Sequence, residues 1–227
     1  FRVKQKNNAI NDNNYEKNAL MTFASNFSLT ASPNTVTLVT GPVKGVGKSF
    51  VATKLAQTLS RINKKVLLID CDFYKGKLHE VFKVKNIESK EYINKIKNPI
   101  KISGFDGLYF VPRPRNASDI SYSIFDSKEF RETIEEIRED YDFVILDSSP
   151  VMQTTEASLL STMSSMTINV ASLKQTRWSD FVEAHNRLRA VADTKNYFVI
   201  NRFKKLRNYY GYYDYNYSYY DYDYSES

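Results

Sequence analysis

The chain has 227 residues, 42% of them apolar and 26% charged, the balance of a globular domain large enough to bury a core. Its single cysteine, Cys71, excludes an internal disulfide, and with only two histidines it also excludes a zinc cluster. The net charge of +6 is unevenly spread, because the last twenty residues hold Asp214, Asp221, Asp223 and Glu226 and no Lys or Arg.

Taken in chain order, residues 1–14 are polar and Asn-rich and read as an arm, and 15–30 read as a weakly periodic helix. An α/β alternation follows. The runs "TVTLVT", "KVLLID", "GLYFVP", "DFVILD", "MTINVA" and "YFVINR" read as strands whose unbroken apolar character suits a parallel sheet covered on both faces. The stretches "KSFVATKLAQTLSRI", "SKEFRETIEEIRED" and "RWSDFVEAHNRLRAVA" read as helices between them. The fold expected is α/β and doubly wound, a mostly parallel sheet with helices on both faces. Residues 73–105 are basic and less regular, and 112–127 read as a surface loop. The expected organisation is an arm and helix over 1–30, an α/β domain over 31–207, and a disordered, exposed tail over 208–227. No apolar run reaches the 18–20 residues of a membrane span, and no signal peptide is visible. The start at Phe1 leaves an upstream membrane segment open. Nucleic acid is not an expected partner, since no dense basic helix or RNA-binding aromatic motif occurs.

The strand, the loop "GPVKGVGKS" and the following helix form a Walker A arrangement. Backbone N–H groups over Val43, Lys44, Gly45, Val46, Gly47, Lys48, Ser49 and Phe50 are the candidate cradle for nucleotide phosphates, at a helix start whose dipole favours anions. Lys48 is placed to reach the β- and γ-phosphates of ATP, and Ser49 to ligate Mg²⁺. Pro42 stands where the strict pattern has its first glycine. Asp147 ends the strand "FVILD" as a Walker B carboxylate would, and Asp70 and Asp72 end another strand. Three carboxylates beside a phosphate site call for a counter-charge, which Mg²⁺ supplies. A lone strand-end aspartate reads equally well as a turn residue; the three together, after a Walker A loop, favour metal and catalysis.

The tail "NYYGYYDYNYSYYDYDYSES" holds ten of the seventeen tyrosines: Tyr209, Tyr210, Tyr212, Tyr213, Tyr215, Tyr217, Tyr219, Tyr220, Tyr222 and Tyr224. With no aliphatic residue it cannot build a core of its own, so the phenols are displayed to be read or modified.

From about Glu16 onward the sequence resembles the cytoplasmic kinase domain of the bacterial tyrosine kinases of capsule and exopolysaccharide export. The likeness rests on the Walker loops, on the tyrosine cluster, and above all on "VLLIDCDFYKGKLHEVF", with His79 and Phe82 in the family's places. It implies ATP- and Mg²⁺-dependent phosphoryl transfer to the ten tail tyrosines, offered by a neighbouring subunit. Lys48, Asp70 and Asp72 are then the catalytic residues, Asp70 accepting the phenol proton. Ser49, Asp72 and Asp147 hold the metal, and Asn201 either contacts adenine or is a strand-end turn residue. It also implies a homo-oligomer, a membrane adaptor or fused transmembrane segment, and a place at the inner face of the cell membrane.

Some positions depart from the family. Ala19 and Thr22 replace the arginines of the assembly helix, Tyr74 replaces an arginine after the second aspartate, and a proline-rich stretch reads "PRPRNASD". Two other readings stay open: a nucleotide-binding scaffold of a membrane complex with weak or no kinase activity, and a partition-type ATPase. The latter carries a lysine where this chain has Val43, and it lacks a tyrosine tail.

Overall fold

The structure, a computed structural model, describes residues 6–202. The tyrosine cluster Tyr209–Tyr224 lies outside the described residues. Seven strands form one sheet in the order β3-β4-β2-β5-β1-β6-β7. They are β1 (Thr35–Thr40), β2 (Val66–Cys71), β3 (Ile100–Lys101), β4 (Leu108–Val111), β5 (Phe143–Ser148), β6 (Met166–Ser172) and β7 (Lys195–Asn201). All pairings are parallel except that of β3 with β4. The six expected strands are all present. The seventh, β3, is two residues long, too short for any periodicity to betray it.

β1, β2 and β5 are buried at every position, the consequence of helices on both faces. Side chains alternate between two cores with the period-2 geometry of a strand. Leu67, Ile69, Val144 and Leu146 enter one core, with Phe73, Tyr92, Phe125 and Phe130. Leu68, Ile145 and Phe143 enter the other, beneath α1 (Lys6–Thr30) and α2 (Lys48–Arg61). Asp70 and Asp147 continue the second register, so they fall on the face that α2 covers.

Three expectations are corrected. The helix expected over 15–30 begins at Lys6, inside the stretch read as an arm. Its docking end is aromatic: Phe27 is fully buried and meets the rings of Phe143 at 5.3 Å and Tyr197 at 5.9 Å. The span 112–127 is no surface loop. It holds a 3₁₀ turn (Ser118–Ile120) and α5 (Ser121–Asp126), pinned by Ala117, Ser121 and Phe125, all essentially buried. Phe125 packs on Phe73 at 4.7 Å and Phe130 at 5.2 Å. Residues 73–105 are likewise more ordered than expected, with α3 (Leu78–Val81) and α4 (Tyr92–Lys97), where Tyr92 and Ile96 are buried. Short helices of this kind are fixed by tertiary packing rather than by propensity, which is why pattern alone missed them. The remaining helices are α6 (Lys128–Ile137), α7 (Glu156–Ser161) and α8 (Trp178–Arg189). Among the described residues no helix is long and apolar enough to cross a membrane.

Candidate active site

The loop after β1 closes on α2 without a side-chain cap. Gly47 is the N-cap in the left-handed conformation, φ 100°, and no side chain bonds the first-turn N–H groups. Those donors, with the positive end of the helix dipole, are left for an anion. A side chain at 47 would be strained by the φ value and would also run into the Asn201 amide.

Lys48, the first residue of α2, is only 6% exposed. Burial pushes its ammonium below the usual lysine range, while Asp147 and Asp72 pull it back up. Among the described residues it makes no ion pair, so its charge stays available to a ligand. Ser49 is half-buried beside it.

The register of the sheet brings the carboxylates together. Asp70 on β2 and Asp147 on β5 are directly paired neighbours, and Asp147 also pairs with Val39 just before the phosphate loop. The loop after β5 is tied to the phosphate loop by Val151 N–H to Gly41 O (3.1 Å) and Met152 N–H to Pro42 O (3.2 Å). Both oxygens of Asp147 are buried with no conventional hydrogen-bond partner. Burial pushes Asp147 up to about 7, against the Ser49 hydroxyl and Lys48, which hold it down. Asp70 is fully buried; burial, then Asp147 and Asp72, raise its carboxyl well above the usual range. Its Oδ1 accepts from Asp72 N–H at 3.2 Å, and its Oδ2 is unpartnered.

The loop after Asp72 is locked from several sides. Asp72 Oδ1 accepts from the N–H groups of Tyr74 (3.2 Å) and Lys75 (3.0 Å). Arg113 donates to the carbonyls of Gly76 (2.8 Å) and Phe73 (3.2 Å). A Cβ at Gly76 would collide with the Asp70 carboxylate, so this glycine lets the backbone turn against the catalytic candidate. Tyr74 donates to Glu156 Oε1 at 2.8 Å, and Ser121 donates to the same oxygen at 2.5 Å. Burial works to raise Glu156, but hydrogen bonds from Ser121, Tyr74 and Thr154 outweigh it and hold the carboxyl below the usual range. Two open clefts flank the site. One of about 650 Å³ lies over Val43, Lys44 and Gly45; the other, of about 530 Å³, lies between Tyr74, Tyr122 and Glu156, and Gln153 lines both.

The structure thus brings Lys48, Asp70, Asp72, Asp147 and Ser49 to one end of the sheet. Asn201 reaches the phosphate loop but is occupied there: its amide donates to Val46 O at 2.9 Å, and its oxygen accepts from Arg202 N–H at 2.8 Å. His79 and His185 lie elsewhere, His79 near Glu80 and His185 against the ring of Phe198. Sequence reasoning missed Arg113 and Glu156. An arginine among prolines and a lone helix-start glutamate carry no signal until the fold places them beside the loop of Asp72. Among the described residues no group of three carboxylate, His or Cys side chains is preformed to hold a metal. That suits Mg²⁺, which takes one or two carboxylates and completes its shell with phosphate and water. An orphaned buried carboxylate facing an unpaired buried lysine at an uncapped helix start is the donor set that a metal–nucleotide pair fits.

The sheet order, the phosphate loop on β1 and the acidic end of β5 define a P-loop nucleotide-binding protein. The chain belongs to the AAA domain family, whose model matches residues 39–176, and membership implies binding of ATP. It is similar to the tyrosine-protein kinase ptk of Acinetobacter johnsonii, 29% identical over 192 residues that cover 82% of this chain and 26% of that protein. The chain therefore spans about a quarter of the length of the curated relatives it matches. Among solved structures, the kinase domain of the Escherichia coli tyrosine kinase ETK superposes with a TM-score of 0.72 at 23% identity, covering 82% of this chain and 75% of that one. The septum site-determining protein MinD of Pyrococcus horikoshii, complexed with Mg-ADP, superposes at 0.61 with 22% identity, covering 74% and 70%.

The titration of Asp147 has a consequence for stability. An unfolded aspartate titrates near 4, so between there and about 7 the nucleotide-free fold binds the proton more tightly than the unfolded chain does. Stability therefore falls as pH rises through that window, then levels off. Asp147→Asn removes the part of the slope that this carboxyl contributes. The variant is expected to match the parent near pH 4 and to exceed it at pH 8 by on the order of 1–3 kcal/mol, read from urea unfolding without nucleotide.

Proposed function

We propose that the chain is the catalytic domain of a protein-tyrosine kinase that transfers the γ-phosphoryl group of ATP to tyrosines of its own C-terminal cluster, in trans, in the control of surface polysaccharide export. The observation that carries this reading is the pair Asp70 and Asp72 on a locked loop beside Lys48 and Asp147. The names of its relatives as tyrosine-protein kinases point the same way.

Lys48 and the first-turn N–H groups of α2 hold the phosphates and offset charge that builds on the transferring group. Ser49, Asp72 and Asp147 would hold Mg²⁺, which would neutralise part of the same charge. Asp70 accepts the phenol proton, and burial beside Asp147 and Asp72 gives it the raised affinity for protons that suits a base. The locked loop keeps Asp72 placed, so little reorganisation accompanies the reaction. The acceptor enters from the open clefts that meet at Gln153. A homo-oligomer would bring one chain's tail to another's site, and a membrane adaptor or fused transmembrane segment would hold the assembly at the inner face of the membrane. Ala19 and Thr22 are exposed on α1, so any assembly through that helix proceeds without the family's arginines.

The test mixes active chain with isotopically heavy Lys48→Met chain and Mg-ATP, then maps modified residues by mass spectrometry. Phosphate on heavy Tyr209–Tyr224 peptides is the expected result. Phosphate confined to light peptides would show transfer within one chain. No phosphate on either, with nucleotide binding intact, would favour the scaffold reading.

A further inference from the structure

β7 ends the sheet, and among the described residues nothing pairs with its outer edge. One face of this strand is unusually apolar for an edge. Phe198 and Ile200 are 52% and 57% exposed, and next to them on α8 Trp178 is 76% exposed. Trp178 stacks on Phe181 at 5.8 Å, and Phe181 on Phe198 at 5.4 Å, so these rings make one continuous patch beside an open backbone ladder. Natural sheets blunt such edges with charge, proline or a covering segment. Lys195, at the start of the strand, is the only charged residue β7 carries.

The chain continues from the end of β7 for 26 residues, ample to turn back along a seven-residue strand at about 3.3 Å per residue. Within that length the sequence "YDYNYSY", Tyr213 to Tyr219, alternates tyrosine with polar residues at period two. In an extended conformation all four phenol rings fall on one face and Asp214, Asn216 and Ser218 on the other. Tyrosine favours half-buried pleated surfaces, and its amphipathic ring covers apolar area while its hydroxyl stays wet. The surface around this edge is basic, opposite in charge to the acidic tail: Lys174, Arg177, Arg187, Arg189, Lys195 and Arg202 lie on or beside α8 and β7.

We propose that the unmodified segment 213–219 of this chain adds to the outer edge of its own β7 as an antiparallel strand, with its tyrosine face over Phe198, Ile200, Phe181 and Trp178. Main-chain pairing supplies the affinity and the ring contacts fix the register. The edge then sequesters Tyr213, Tyr215, Tyr217 and Tyr219 from any active site. Phosphate adds up to about two negative charges to each of four rings on one face, and their mutual repulsion drives the segment off. This last step alone rests on the kinase reading; the docking does not.

The experiment is hydrogen exchange on full-length Lys48→Met chain, which keeps the tail unmodified, against the same chain with Tyr213, Tyr215, Tyr217 and Tyr219 changed to Ser. The expected result is that amides of 195–201 exchange about ten-fold or more faster in the serine variant, independently of protein concentration. Ile200→Lys, at an exposed position, is expected to abolish the difference while leaving nucleotide binding and thermal unfolding unchanged. Equal exchange in parent and serine variant would overturn the docking, and protection that appears only at high concentration would overturn its intramolecular form. Chemically phosphorylated tail, installed by ligation, is expected to exchange like the serine variant whether or not the chain is a kinase. Undiminished protection there would overturn the release.

Discussion

Lys48→Met is expected to abolish phosphoryl transfer, lowering the rate by at least about three orders of magnitude, while leaving the fold intact. Lys48 is buried at the uncapped start of α2, and among the described residues it has no ion-pair partner. Its charge is therefore left open to a ligand. A desolvated ammonium acts on a developing phosphate charge through a low effective dielectric, where it is worth several kcal/mol. Replacing it with methionine, similar in length and apolar, removes a burial cost and leaves no unpaired partner. Asp147 then loses a cation that holds its carboxyl down, and so stays protonated to higher pH. Circular dichroism and unfolding should thus match the parent, while phosphotyrosine by mass spectrometry disappears. Retained activity with intact circular dichroism would remove Lys48 from the site.

The second large effect separates Asp70 from Asp72. Asp70→Asn is expected to lower kcat by about 10²–10⁴, with nucleotide binding retained, because amide nitrogen cannot take the phenol proton. Raising Mg²⁺ should not restore it. Asp72→Asn should lose activity through weakened metal binding and recover part of it at higher Mg²⁺. The substitution has to be Asn. Asp72 Oδ1 accepts the N–H groups of Tyr74 and Lys75, and an amide oxygen can still do so. Alanine would free the loop and confuse a metal effect with a structural one. Identical Mg²⁺ responses in the two variants would show that the roles are not divided in this way.

Tyr74 illustrates how a departure in sequence acquires meaning in the fold. Read in the sequence, it is an aromatic residue where related kinases carry arginine. In the structure its hydroxyl donates to the buried Glu156, which also accepts from Ser121. The loop of Asp72 is therefore anchored at this point by a neutral donor.

Features of this protein that are local or periodic can be read directly from its residues. Five of the six expected strands were legible because residues covered on both faces leave unbroken apolar runs, and β7 keeps such a run although none of its positions is fully buried. The phosphate loop was legible because cradling phosphate demands glycine, lysine and a hydroxyl at fixed spacing on a strand–turn–helix. Asp70, Asp72 and Asp147 were legible as strand-end carboxylates. What those residues meet is settled by packing between elements distant in the chain. Pairing of β2 with β5 makes Asp70 and Asp147 neighbours although 77 positions separate them in the chain, and that register depends on packing across the whole sheet. The ordering of 112–127 depends on Phe125 finding Phe73 and Phe130, a contact no local pattern announces. Arg113 and Glu156 gain their roles only when separate loops close on Asp72, and Asn201 proves to clasp the phosphate loop because β7 ends beside it. Side chains whose partners lie far along the chain carry no periodic signature, since their position is fixed by long-range packing and not by the residues around them.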